Sequence, residues 1–220
     1  MPLNLEDFES RVVLRLLRPD DYDDLVALEK KCFPGIATWK REQFESQIAH
    51  FPEGQMCIVL DGQLVASSSS LIVEFDDYDA WHSWQEISAD GYITNHDPEG
   101  DTLYGIEIMV DPALRGFRLS RRLYDARKEL ARRLNLRRIL IGGRIPGYGE
   151  HADRLTAREY VEQVINKNLF DPVLTAQLAN GFALQALIPD YLPGDMESVS
   201  YTHLRAHETV LDLVCRLLLE

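Results

Sequence analysis

The 220 residues, 45% of them hydrophobic, suffice to fill one good core and leave little for a second. A formal net charge of −13 at pH 7 opposes general binding to nucleic acid or acidic membrane faces, so small molecules and proteins are the expected partners. Cys32, Cys57 and Cys215 form no CxxC pair and have no histidine at metal-ligand spacing, which argues against a disulfide frame or zinc site and fits a reducing cytoplasm. The opening MPLNLEDFES lacks the basic-then-apolar order of a secretion signal, and no later run approaches the ~20 apolar residues that span a bilayer. A soluble cytoplasmic protein is expected.

In chain order, Val12 to Leu17 reads as a buried strand, and Pro19-Asp20-Asp21 starts an apolar-periodic helix through Leu25 and Leu28. A second helix is expected from Thr38 to about His50. Two β-rich runs, MCIVL and LVASSSSLIV, then flank Asp61-Gly62 as a hairpin. From Glu74 to Asp101 acidic, aromatic and turn residues dominate (Trp81, Trp84, Tyr92, His96), giving an excursion of short strands or loops. Tyr104 to Val110 is a strand stopped by Asp111-Pro112. Leu119, Leu123, Ala126, Leu130 and Leu134 follow at helical spacing with arginines on the other faces, and Arg138 to Gly143 is strand again, making one strand-helix-strand unit. Beyond a loop-rich stretch come a helix through Tyr160 and Val164, another from Pro172 to Asn180, and an apolar run from Gly181-Phe182 toward Tyr191.

Charge is unevenly placed. Ten arginines and Lys128 lie between Arg115 and Arg144, against only Asp125 and Glu129. Taken alone, such a run is a solvated helix face. Here it begins at the turn VDPALRGFRLSRRL, where a helix amino terminus offers unpaired N–H groups and a partial positive charge, Gly116 permits close approach, and Arg115 and Arg118 add charge. A pyrophosphate fits such a turn, whereas the spacing matches neither a Walker loop nor a GxGxxG dinucleotide site.

Val110-Asp111-Pro112 followed by Arg115-Gly116-Phe117-Arg118-Leu119-Ser120 resembles the hallmark of the GNAT superfamily of acyl-CoA-dependent N-acyltransferases, with Arg118 where that family usually has a glycine. The resemblance implies an α/β domain over residues 11–198, after an N-terminal extension of residues 1–10. Its mixed, mainly antiparallel central sheet would be flanked by helices, and the strand-helix-strand unit would bind acyl-CoA. The stretches LYGIEIMVDPALRG, GGRIPGYGEHAD and FDPVLTAQLANGF are similar to a subgroup in which such a domain precedes a carbon-nitrogen hydrolase (nitrilase-like) domain. From about Val199 the sequence VSYTHLRAHETVLDLVCRLLLE departs from the family and resembles the translated read-through of a sequencing adapter. Residues 199–220 are therefore expected to be a non-native tail, with little effect on stability when removed.

By the resemblance, acetyl-CoA is the cosubstrate, and no metal is implied. Its pantetheine arm would pair with the backbone of Ile108, Met109 and Val110, and its pyrophosphate would sit on the N–H groups of Gly116, Phe117, Arg118, Leu119 and Ser120, with the side chains of Arg115, Arg118 and Arg121 outside. Glu107, the only ionisable group in an apolar strand leading to the turn, is the candidate general base; its alternative is a carboxylate facing solvent or paired with Arg144. The family's tyrosine acid is replaced by Gln177, which leaves Tyr148 as the candidate, with Tyr191 behind it; each has packing as its alternative. The resulting expectation is an N-acetyltransferase acting on a small-molecule or protein amine. The alternative is a catalytically weak acyl-CoA-binding or regulatory domain serving a fused hydrolase.

Overall fold

The computed structural model describes residues 5–78, 82–192, 195, 197–198 and 202–208. Its strands are β1 (Val12–Leu16), β2 (Met56–Leu60), β3 (Gln63–Val73), β4 (Thr102–Val110), β5 (Arg138–Arg144), β6 (Ala183–Ile188) and β7 (Thr202–Glu208). They form one sheet in the order β1-β2-β3-β4-β5-β7-β6. Every neighbouring pair is antiparallel except β4 and β5, which run parallel. The mixed, mainly antiparallel sheet expected from the sequence is the one observed.

The helices are α1 (Leu5–Arg11), α2 (Tyr22–Cys32), α3 (Arg41–His50), α4 (Trp84–Ser88), α5 (Leu119–Arg133), α6 (Ala157–Ile165) and α7 (Leu174–Ala179). Helix α5 links the parallel pair and buries Leu119, Leu123, Tyr124, Leu130 and Ala131. Each such leucine contributes about 1.5–3 kcal/mol by leaving water. The stripe differs from the expected one in two places. Arg127 is 1% exposed on the buried face, and Leu134 is 39% exposed beyond the helix end. The β2–β3 turn is as expected, with Asp61 and Gly62 both at positive φ, the combination that matches the twist of the flanking strands.

From Leu5 the chain is helical: α1 runs directly into β1, and its Phe8, 2% exposed, packs on Phe117 with ring centroids 5.0 Å apart. The stretch from Glu74 to Asp101 contributes no strand before Asp101 among its described residues. It carries α4, capped by Ser83, and a run of turns with Ala89, Asp90 and Ile93 at positive φ. Trp81 lies outside the described residues.

At the C-terminal end, β7 inserts between β6 and β5, with Arg138↔Glu208 through Arg144↔Thr202 on one side and Ala183↔Ala206 through Ile188↔Thr202 on the other. Residues 209–220, including the apolar series Val210 to Leu218, lie outside the described residues. Whatever the origin of residues 199–220, β7 is the strand through which β6 joins the sheet, and removing it orphans the backbone groups of β6 and of one edge of β5. Truncation after Ser198 is therefore expected to lower Tm by roughly 10 °C or more. A thermal melt that is unchanged on this truncation would contradict the inserted position of β7.

Candidate functional site

The site is built around the place where β4 and β5 stop pairing. Their register runs from Thr102↔Arg138 to Gly105↔Ile141 and ends there, although β4 continues to Val110 and β5 to Arg144. From Ile106 onward the β5-facing edge of β4 is open, and Ile108, Met109 and Val110 lie along it while pairing with Ser68, Ser67 and Ala66 of β3 on the other side. The start of the opening is filled by two aromatic side chains. The Trp84 indole N–H donates to the Ile106 carbonyl at 3.2 Å, and the Tyr191 ring crosses β5 so closely that a Cβ on Gly142 would lie 2.6 Å from its hydroxyl.

A β-bulge beside the opening sets the chemistry. The β3–β4 register shifts between Ser69 (opposite Glu107) and Ser70 (opposite Gly105), leaving Ile106 as the extra residue. Positions 105 and 107 would share a face in a regular strand. Instead, the Cβ direction of Gly105 points at the Arg127 guanidinium of α5, and the Glu107 carboxyl meets Glu29 of α2 and Trp39 of the following loop. The Trp39 indole N–H donates to Glu107 Oε2, and its backbone N–H donates to Glu29 Oε2 at 3.0 Å. Glu107 Oε1 is buried without a hydrogen-bond partner among the described residues, and Trp39, by donating to both, ties the Glu107 and Glu29 carboxyls to one place. Burial pushes both carboxyls above the usual range, and the negative charge of Glu107 raises Glu29 further. Arg144 is not the partner of Glu107: it pairs with Asp195 and Glu197.

The turn before α5 has the expected form. Gly116 has φ +94° with open space where a Cβ would be, and Arg118, the N-cap, sits in the left-handed region at φ +59° without a side-chain cap. Arg115, Gly116 and Arg118 are exposed, Phe117 is half-buried, and Leu119 and Ser120 open the helix. Arg115 and Arg118 carry no ion pair among the described residues. Their neighbours are committed elsewhere: Arg122 to Glu9, Arg121 to Asp125 at 3.9 Å, and Arg138 to Asp101 at 3.2 Å.

Tyr148 is not brought to this site. It is buried in a separate small cluster with Tyr160 and Leu174, its ring 5.6 Å from that of Tyr160. The other tyrosine considered for the acid, Tyr191, does reach the opening, in a buried chain in which its hydroxyl lies 3.0 Å from that of Tyr104, itself 2.9 Å from His82 Nε2. Burial raises both phenols. Glu29, Trp39, Arg127, Tyr104 and His82 are members of the site that the sequence reading missed. His96 stacks on Phe51 and accepts the Ile72 N–H, and His151 packs on Tyr160. No group of three His, Cys, Asp or Glu that could hold a metal ion occurs among the described residues, and no helix among them is long and apolar enough to cross a membrane. A cavity of about 320 Å³ between β1 and α5, lined by Leu14, Leu16, Met56 and Leu130, is larger than the 150 Å³ one beside Arg144 and Phe33, but it holds none of the groups at the opening.

The family model described as Acetyltransferase (GNAT) family matches residues 22–146, which contain the opening, the carboxyl pair and the turn. The chain belongs to this family. GNAT relatives include an uncharacterized N-acetyltransferase, YkwB, of Bacillus subtilis (strain 168), 35% identical over 198 residues that cover 88% of this chain and 87% of that protein. Another is the probable hydrolase YhcX of the same organism, 52% identical over 202 residues; the match covers 92% of this chain but only 39% of YhcX. Among solved structures, the GphF GNAT-like decarboxylase in complex with isobutyryl-CoA superposes with a TM-score of 0.79 at 24% identity, covering 90% of this chain and 100% of that one. The loading GNATL domain of CurA from Lyngbya majuscula gives 0.78 at 21%, covering 90% and 98%. These two likenesses show a shared GNAT fold. Acyl-CoA-dependent acyl transfer in general follows from the family.

The left-handed Arg118 gives the GNAT turn a measurable signature. A non-glycine residue there costs about 1–2 kcal/mol, part of which glycine returns as unfolded-chain entropy. Arg118→Gly is expected to stabilise the domain by about 0.5 kcal/mol in urea unfolding, and a clear destabilisation would show that the turn does not hold this conformation.

Proposed function

We propose that this domain transfers an acyl group, acetyl in the simplest case, from acyl-CoA to an amine by direct attack on the thioester. The observation that supports the reading most is a pair of buried carboxyls, Glu107 and Glu29, both held by Trp39 beside the open edge of β4. In this reading the backbone of Ile108, Met109 and Val110 receives the pantetheine arm. The N–H groups from Gly116 to Ser120 receive the pyrophosphate, with Arg115 and Arg118 as outer cations. Glu107 accepts the proton of the attacking amine as the new C–N bond forms and the C–S bond breaks. Tyr191, the phenol that abuts the opening, returns a proton to the departing sulfur, a role better suited to its position than to that of Tyr148. The acceptor is a small-molecule or protein amine. The likeness to 39% of YhcX, a probable hydrolase, supports a natural form joined to a carbon-nitrogen hydrolase domain.

Glu107→Gln keeps the shape and the indole contact while removing the proton acceptor. Turnover with acetyl-CoA and an amine panel is expected to fall about 100-fold or more with acetyl-CoA affinity little changed. Because burial raises Glu107, the wild-type rate should decline as pH falls through a value above the ordinary carboxylate range. Unchanged turnover in the variant would remove Glu107 from the reaction. Release of CO2 from an acyl-CoA without any amine would instead favour chemistry like that named for the GphF neighbour.

A further inference from the structure

The arginine that departs from the exposed stripe of α5 has a use of its own. Arg127 is 1% exposed, and its Nη2 donates to the Ser69 carbonyl at 2.7 Å and to the carbonyl of Glu107 itself. Its Nε is buried with no acceptor. Two backbone carbonyls at the bulge hold the guanidinium, and the missing side chain of Gly105 makes room: a Cβ there would lie 2.8 Å from Nη1 and 2.9 Å from Cζ. The residue whose carbonyl Arg127 holds is Glu107, and the Glu107 carboxyl leaves the same bulge on the α2 side, where Trp39 donates to it.

We propose that Arg127, reaching to the bulge from α5, is the fixed counter-ion that keeps the Glu29–Glu107 pair singly charged, with Glu107 as the anion and Glu29 as the proton holder. Arg127 is a positioning residue in this scheme, since it acts through Glu107. The groups facing Glu107 are Glu29 and Cys32 from α2, Trp39 from the α2–α3 loop, and Arg127 from α5, with Tyr124 beside Arg127. Among these, Arg127 is the cation. Without it, the pair binds a second proton more readily and Glu107 becomes neutral, which disables it as a base. This assignment rests on the acyl-transfer reading for its use, and on the contacts of Arg127 at the bulge for its existence.

The test reads the charge of Glu107 directly in the full chain, through the indole N–H resonance of Trp39, assigned by Trp39→Phe, during a pH titration. Arg127→Met is expected to raise the midpoint by about one pH unit or more, and Arg127→Lys to restore it to within about half a unit. Gly105→Ala, which keeps the cation but forces it aside, should shift the midpoint upward by a smaller amount and covers the case in which Arg127→Met does not fold. A midpoint that stays at the wild-type value in Gly105→Ala and in any folded Arg127→Met protein overturns the proposal. Shifts of the expected sign without amine acylation by the wild type would uphold the counter-ion and overturn the acyl-transfer reading, so the two failures are distinguishable.

Discussion

Two parallel strands that stop pairing halfway along leave backbone N–H and C=O groups facing a gap inside the sheet, and groups so placed must find other partners. In this protein β4 and β5 part after Gly105 and Ile141, and the rest of the site is arranged around the parting. At its start the Trp84 indole takes the Ile106 carbonyl, and Tyr191 fills the space that Gly142 leaves. Past them, the edge of β4 from Ile108 to Val110 remains open and leads to the Arg115–Ser120 turn. A bulge at Ile106 then re-aims Glu107, so that an acid–base group stands beside the open edge.

Electrostatics follow the same division. Five of the arginines between Arg115 and Arg144 bear on the site and the sheet around it. Arg115 and Arg118 carry no ion pair at the turn among the described residues, Arg138 and Arg144 tie the ends of β5 to Asp101 and to Asp195 and Glu197, and Arg127 is buried behind the bulge. A buried cation is costly unless an anion or well-aimed dipoles answer it. Two carbonyls and the nearby Glu107 do so here, which links the stability of the central sheet to the protonation of the candidate site.

The fold was legible because its signals are local: the Asp61-Gly62 hairpin, the Pro-bounded strands, and the apolar stripe of α5 all have short-range causes. The turn at Arg118 was legible from its spacing. The cluster that holds Tyr148 was not legible because its loop position says nothing about which cluster the chain folds into, and the place of β7 in the sheet was not legible because alternation alone does not set register. Glu29 and Arg127 carried a signal that went unused. Glu29 falls four residues after Leu25 and one after Leu28, and Arg127 four after Leu123 and three before Leu130, so helical spacing puts both charges on the faces that bury those leucines. Trp39 and His82 had no such signal, because their roles come from loops brought together by the sheet.

The central claim is that the open edge of β4 and the turn before α5 form one continuous acyl-CoA site. Amide hydrogen exchange with and without acetyl-CoA tests it most directly. The account predicts slowed exchange within residues 108–110 and 116–120, and little change along the groove lined by Leu14, Met56 and Leu130. Protection of that groove, with the two predicted segments exchanging as in the free protein, would contradict it.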